Sequence, residues 1–419
     1  MSDVLVTGIG MVSPLGADRK ASFNGALMAR SGIRRAPDAL SAGLSGLLMA
    51  PAAVEPETLL DPQYAGMDRA AKFAMVAAQE AMADAGIAEL PTDADRFGVY
   101  SGIGFGGAHT LDAMFARYYT ALHVNQKSPK SAAVVHPLLV PRMMANASMA
   151  AVSMRYGLRG MSNTYSVACA SSAIATGEAM RAIRHGYLDA AVVLGAEAML
   201  TPGSMVAWNA LRVMARVRDD NPAASCRPFD RQRSGFVLGE GAAALVLESR
   251  ARAARRGAVA HAELAGYGCS SDAHHLTAPS PEGQAAAMRL ALAEARLGPE
   301  QIQYLNAHGT ATDAGDVIET QAIIDVFGEA VGQLAVSSTK AVHGHLIGAG
   351  GTLELALAIM AMESGSIPPT AHLDEPDPRC SLDYVPLNAR HGCSIGAVMS
   401  NSFAFGGSNA SLIARRVTG

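Results

Sequence analysis

Short apolar runs rich in β-branched residues alternate with alanine-rich stretches of helical period along the whole chain. Residues 4–8, 97–101, 190–194, 242–248, 262–269, 302–307 and 396–400 read as strands. Residues 67–86, 283–295 and 317–327 read as helices; in the first, Ala70, Ala71, Phe73, Ala74, Ala77, Ala78, Ala81 and Met82 recur at helical spacing. Continuous apolar strands interleaved with helices predict buried sheets covered by helices on both faces, an α/β architecture. At 419 residues the chain is long enough for two or three domains or one fused pair. Aromatics are only 5% of it, so its apolar half consists mainly of small and aliphatic side chains that let helix and sheet approach closely. The break between halves is expected within residues 248–260, where arginines gather beside Gly257. A solvated helix is the simpler reading of that cluster, and the division adopted is 1–252 and 253–419. One loose echo joins the halves: small residues follow a strand in VACASS and again in SNSFAFGGSNA.

The charge balance narrows the function. A net charge of −4 carries no nucleic-acid footprint. The five cysteines are odd in number and form no CxxC pair, which argues against a disulfide framework or a zinc site and for a reducing, cytoplasmic setting. The first residues lack the basic and apolar regions of a signal peptide. No uninterrupted apolar run reaches membrane-spanning length, so no membrane role is expected.

Three segments carry chemistry. In Tyr165–Ala173, Cys169 stands where a strand-like run turns into a helix. Free N–H groups and the helix dipole there favour a thiolate and a lowered thiol pKa, against the alternative of a small buried cysteine. The other four cysteines read as filler. His308 follows a strand in NAHGTAT, and Lys340 and His345 lie in STKAVHGHLIGAGG. Two imidazoles can donate to a carbonyl oxygen that gains charge while a thiolate supplies covalent catalysis. Metal binding by His343 and His345 is the rival reading, but HxH without a carboxylate pattern is a weak metal signal. His274 and His275 read as structural. The glycines of residues 102–107 and 344–351 fit neither dinucleotide nor P-loop spacing.

Together these motifs resemble the elongating β-ketoacyl-acyl-carrier-protein synthases of type II fatty-acid synthesis and their polyketide ketosynthase relatives. VACASS, NAHGTATDAGD and STKAVHGHLIGAGG carry the likeness, with RPFDRQRSGFVLGEGA, SSDAHHLTAPSPEG and SNSFAFGGSNA around them. The resemblance implies the thiolase fold: two duplicated halves, each with a mixed five-stranded sheet, in α-β-α-β-α layers. It implies a homodimer or a heterodimer with a paralogue, acyl carrier protein as partner, and no cofactor or metal beyond the 4'-phosphopantetheine that carries the substrates. Cys169 would take the acyl group, His308 and His345 would stabilise the enolate left by decarboxylation of a malonyl unit, and Lys340 would polarise the site. The N–H groups of Cys169 and Phe405 would form the oxyanion hole, with Phe405 also a gate. Thr310 and Thr312 would hold the pantetheine arm, Ile103 and Phe403 would face substrate, and Asn401, Glu354 and Asp316 would support the site. Several positions depart from the family pattern: Ala404 replaces a glycine before Phe405, Ser234 an aspartate and Asp313 a proline. Residues 105–137 are longer than usual. A basic pair before Met67 is missing, so Arg69, Lys127, Lys130 and Arg212 are the candidate carrier-docking residues. These departures point to a dedicated pathway. A non-extending acyltransferase and a chain-length-factor-like partner subunit are the alternatives.

Overall fold

A computed structural model describes residues 3–41, 43–87, 91–132 and 135–417. Ten strands form its main sheet: β1 (Val4–Val12), β2 (Phe97–Gly102), β3 (Asn163–Tyr165), β4 (Ala190–Glu197), β5 (Gly241–Ser249), β6 (Ala262–Ser271), β7 (Tyr304–Asn306), β8 (Ala335–Ser337), β9 (Ala397–Phe403) and β10 (Ser408–Arg415). Their spatial order is β3-β2-β4-β5-β1 followed by β6-β10-β9-β7-β8. Counted outward from the centre, each half runs first, fifth, fourth, second, third. Pairing repeats as well: β2 runs parallel to β3 and β4, β7 runs parallel to β8 and β9, and the inner pairs of both halves are antiparallel. The two five-stranded units are one continuous sheet, because β1 and β6 pair over Val4–Val6 and Ala262–Leu264.

Side-chain alternation explains the layers. On β4 and β5, Ala191, Val193, Ala243, Leu245 and Leu247 point into a central core, while Val192, Leu194, Ala244 and Val246 point to an outer one. The outer core is closed by the Arg69–Asp84 helix, and its counterpart in the second half by the Pro281–Ala295 and Asp313–Phe327 helices. Between the two five-stranded units of that sheet lie two helices, Ser171–Arg184 and Gly350–Ser364, giving five layers of the thiolase type. These central helices touch through small residues. A side chain at Gly351 would bring Cβ within 2.7 Å of Ala173, and Thr352 N–H donates to Ser172 Oγ at 3.0 Å. Residues 347–364 are apolar and long enough to cross a membrane, yet 83% of them are buried between the two units.

The strands expected from the sequence are present with shifted ends. The segment 302–307 contracts to Tyr304–Asn306, whereas 396–400 lengthens to Ala397–Phe403. The echo between VACASS and SNSFAFGGSNA is not the structural repeat. Each central helix is instead preceded by a tight turn, Ala168–Ala170 in one half and Ile347–Ala349 in the other. Both turns begin at a positive φ, +44° at Ala168 and +42° at Ile347. Cys169 therefore corresponds to Gly348.

Candidate active site

Cys169 occupies the middle of its turn at the head of the Ser171–Arg184 helix. Ser171 Oγ holds the turn by accepting from Val167 N–H at 2.8 Å and donating to Ala168 O at 2.7 Å. The residue is buried, at 6% exposure. The expectation of a lowered thiol pKa is corrected here: burial pushes the Cys169 thiol up to about 12, against the pull of the Lys340 charge and of the Phe405 N–H. Glu197 and Glu354 push the same way as burial.

His345 Nε2 lies 3.0 Å from Cys169 Sγ. Its Nδ1 accepts the N–H of Ile347 at 3.3 Å, which assigns the ring proton to Nε2 and makes that nitrogen the donor toward sulfur. The His308 ring stands 5.4 Å from that of His345 at an interplanar angle of 82°. Burial, with the Lys340 charge added to it, holds both imidazoles well below their usual range, so both are neutral. Sulfur and the two imidazoles place ligand atoms within 4.8 Å of one another, the spread of a metal site. The Nε2 proton of His345 nevertheless faces the sulfur, so that atom offers no lone pair. His343, the other half of the HxH pattern, is taken up by Thr339 Oγ1 at 2.9 Å.

Lys340 is fully buried, with Nζ 2.5 Å from Glu354 Oε1. The contact is a buried ion pair. Burial raises Glu354 to about 7 while Lys340 pulls it down. Asp316 is likewise raised to about 7 by burial; it accepts from Phe229 N–H at 2.7 Å and Ala311 N–H at 3.1 Å, and so braces the loop after His308.

Cys169, His308, His345, Thr310, Thr312, Phe403 and Phe405 line one cleft. The two threonine hydroxyls are 3.0 Å apart. His275 also borders it, its Nδ1 accepting from Thr277 N–H at 3.1 Å in a turn. Ile103 is not among the residues that line this cleft; it belongs to the outer core of the first half. Asn401 lies behind the site, donating to Glu319 at 3.4 Å and accepting from Ser411 at 2.8 Å. Lys127, Lys130 and Arg212 are exposed, the last beside the cleft residue Val213. Arg69 is not available for docking: it is paired with Glu55 and Glu240, and its side chain is 17% exposed. Asp313 pairs with Arg233 and Arg379, and Ser234 Oγ accepts from Arg216 N–H at 3.0 Å.

Three residues were not singled out from the sequence. Glu319 accepts the N–H groups of His308 at 2.8 Å and Gly309 at 2.7 Å. Trp208 stacks on Phe405 with centroids 6.4 Å apart and meets Phe236 edge-on. Glu197, at the end of β4, is buried against backbone amides. Glu319 follows His308 by eleven residues on the next helix, the one spacing that could have drawn notice.

The beta-ketoacyl synthase N-terminal domain family matches residues 1–253, and its C-terminal domain family matches residues 261–374. The 3-oxoacyl-[acyl-carrier-protein] synthase 2 of Staphylococcus aureus is 38% identical over 99% of this chain and 98% of its own. A beta-ketoacyl synthase from Burkholderia phymatum superposes with a TM-score of 0.89 at 38% identity, each chain fully covered. A type II PKS acyl-carrier protein in complex with its ketosynthase bound to the hexaketide gives a TM-score of 0.90 at 27% identity, again with full coverage of both chains. Matched by both domain families and by a relative along almost its whole length, the chain belongs to the β-ketoacyl synthase family.

Proposed function

We propose that this chain is a β-ketoacyl-acyl-carrier-protein synthase that lengthens an acyl chain by decarboxylative Claisen condensation. One observation carries the reading: Cys169 Sγ lies 3.0 Å from a His345 nitrogen that bears a proton, and a second neutral imidazole borders the same cleft.

The Cys169 sulfur attacks the thioester carbonyl of an acyl-pantetheine. The carbonyl oxygen takes the charge beside the Cys169 and Phe405 N–H groups, the pantetheine sulfur leaves with the thiol proton, and the acyl group stays on Cys169. A malonyl thioester then enters past Thr310 and Thr312. Its carboxylate departs as carbon dioxide, and the electron pair of that bond becomes an enolate whose oxygen accepts from His308 and His345. The enolate carbon attacks the acyl-cysteine carbonyl, the carbon–sulfur bond breaks, and the Cys169 thiolate so released takes up a proton from solvent. Neutral donors in a water-poor cleft suit this chemistry, since they meet charge that exists only along the reaction path.

The partner is an acyl carrier protein, docked near Lys127, Lys130 and Arg212. The residues at 63–66, 234, 313 and 404 favour a dedicated carrier over bulk fatty-acid synthesis. A dimer is favoured by β3, which forms one edge of the sheet, and by exposed apolar residues nearby in sequence, among them Leu138, Val140, Met144, Met154 and Met161. Free cysteines without a disulfide among the described residues accord with a cytoplasmic setting.

The test follows acyl- and malonyl-carrier protein by intact mass with wild type and Cys169→Ala. Wild type gains one acyl mass and then yields a β-ketoacyl carrier protein; the variant does neither. Acylation without extension would favour an acyltransferase. Sedimentation of the purified chain alone reads the assembly state, and a monomer would point to a paralogous partner.

A further inference from the structure

Glu197 is wholly buried at the end of β4, yet the chemistry above gives it no task. Its Oε2 accepts the N–H of Gly104 at 2.8 Å and the N–H of Gly348 at 3.0 Å, and Oε1 receives the N–H of Phe105 at 3.4 Å. One carboxyl group thus joins two segments that are remote in sequence. Gly348 belongs to the turn that corresponds to the cysteine turn. Gly104 follows β2, and its carbonyl accepts from Ser166 Oγ at 3.2 Å, while the carbonyl of Ile103 lies 3.3 Å from Ser171 Oγ. Those two serines flank Cys169.

The fit is close enough that only glycine serves on either side. A Cβ at Gly348 would lie 2.1 Å from Gly104 N, and one at Gly104 would lie 2.6 Å from Glu197 Oε2 and 2.8 Å from Ile347 Cγ2. Ile347 and Met199 belong to the apolar cluster that contains Cys169, and both approach Gly104. An acyl chain on the sulfur has to find room within that cluster. Its wall is therefore set by how firmly residues 104–105 are held to the Gly348 turn.

The geometry points to Glu197 as a positioning residue that decides which acyl chains Cys169 accepts, by clamping the Gly104–Phe105 backbone to the Gly348 amide. This inference rests on the condensing-enzyme reading. The clamp needs an acceptor without a proton of its own facing Gly104 and Gly348. Glutamine can keep its single carbonyl oxygen on Gly104 and Gly348 only by turning its N–H2 against the Phe105 N–H, so Glu197→Gln releases residue 105 and loosens the wall while keeping the side chain's size.

The experiment measures acylation of Cys169 by butyryl- and lauroyl-pantetheine, read by intact mass in wild type and Glu197→Gln. The lauroyl-to-butyryl rate ratio is expected to rise at least about tenfold in the variant, the scale on which an apolar pocket separates chains. Two rates that fall together, leaving the ratio unchanged, would reduce Glu197 to general support of the fold and overturn the inference, as would a lowered ratio. If the Gln variant does not fold, Glu197→Asp, which withdraws the oxygens by one methylene, is expected to shift the same ratio and is judged by the same outcomes. A wild-type protein that takes up neither acyl group sinks the condensing-enzyme reading itself, a result separate from the comparison of ratios.

Discussion

Lys340 contributes to the charge state of both imidazoles. Its ammonium, set against Glu354, adds to burial in keeping His308 and His345 uncharged. Lys340→Met removes that field, and both rings then take up protons at higher pH. The acid limb of the pH profile for carbon dioxide release from malonyl-carrier protein moves toward neutrality, and the loss of a buried partner lowers stability by about 3 kcal/mol in chemical denaturation. Glu319→Ala acts on geometry instead. It strips the acceptor from two buried N–H groups under His308, costs roughly 1–3 kcal/mol for each, and slows decarboxylation more than Cys169 acylation. Cys169, His308, Lys340 and His345 were legible because each sits in a short motif of small residues after a strand. Glu197 and Glu319 were not, since their partners are main-chain amides that only the folded chain brings to them. The thiol was misjudged for a related reason: helix position is visible in sequence, but the depth of burial that overrides it is not.

At the level of elements, strands within longer apolar runs announced themselves, even β7 with its three residues, while β3 and β8 lie in mixed polar surroundings and were not read. β10 was not read from the sequence, whose last expected strand ends at residue 400, yet it pairs with β9 from Asn409 to Arg415. The 102–107 glycines match no phosphate-binding spacing. Part of their reason is packing, for a Cβ at Gly102 would lie 2.2 Å from the Ser172 backbone at the head of a central helix. That helix is equally tight elsewhere: a Cβ at Gly177 would fall 2.2 Å from the Tyr267 ring. Gly177→Ala is therefore expected to destabilise by about 1–3 kcal/mol despite alanine's better helix propensity, and a lowered thermal midpoint checks it. A raised midpoint would mean that the two layers separate more easily than the packing implies.

Across the whole molecule, the two halves meet at His261, just before β6. Its ring contacts Asp84, at the end of the first half's outer helix, and Glu363, near the end of the second half's central helix, each at 2.7 Å. Burial opposes the charge, but the two carboxylates win and raise His261 to about 9. A raised folded pKa contributes stability that is complete below about 6.5, the unfolded value, and is lost as pH climbs through about 9. Wild type should therefore lose no more than about 3 kcal/mol over that window, and His261→Gln should show a flatter curve in denaturant melts taken across it. The duplicated turns bear on kinetics. Where one half presents Cys169, the other presents Gly348, whose place has no room for any side chain. A chain so built holds one acyl group at a time, and the donor's carrier has to depart before the extender's can be served. Steady-state data with both carriers varied should then give parallel double-reciprocal lines, the mark of a ping-pong order.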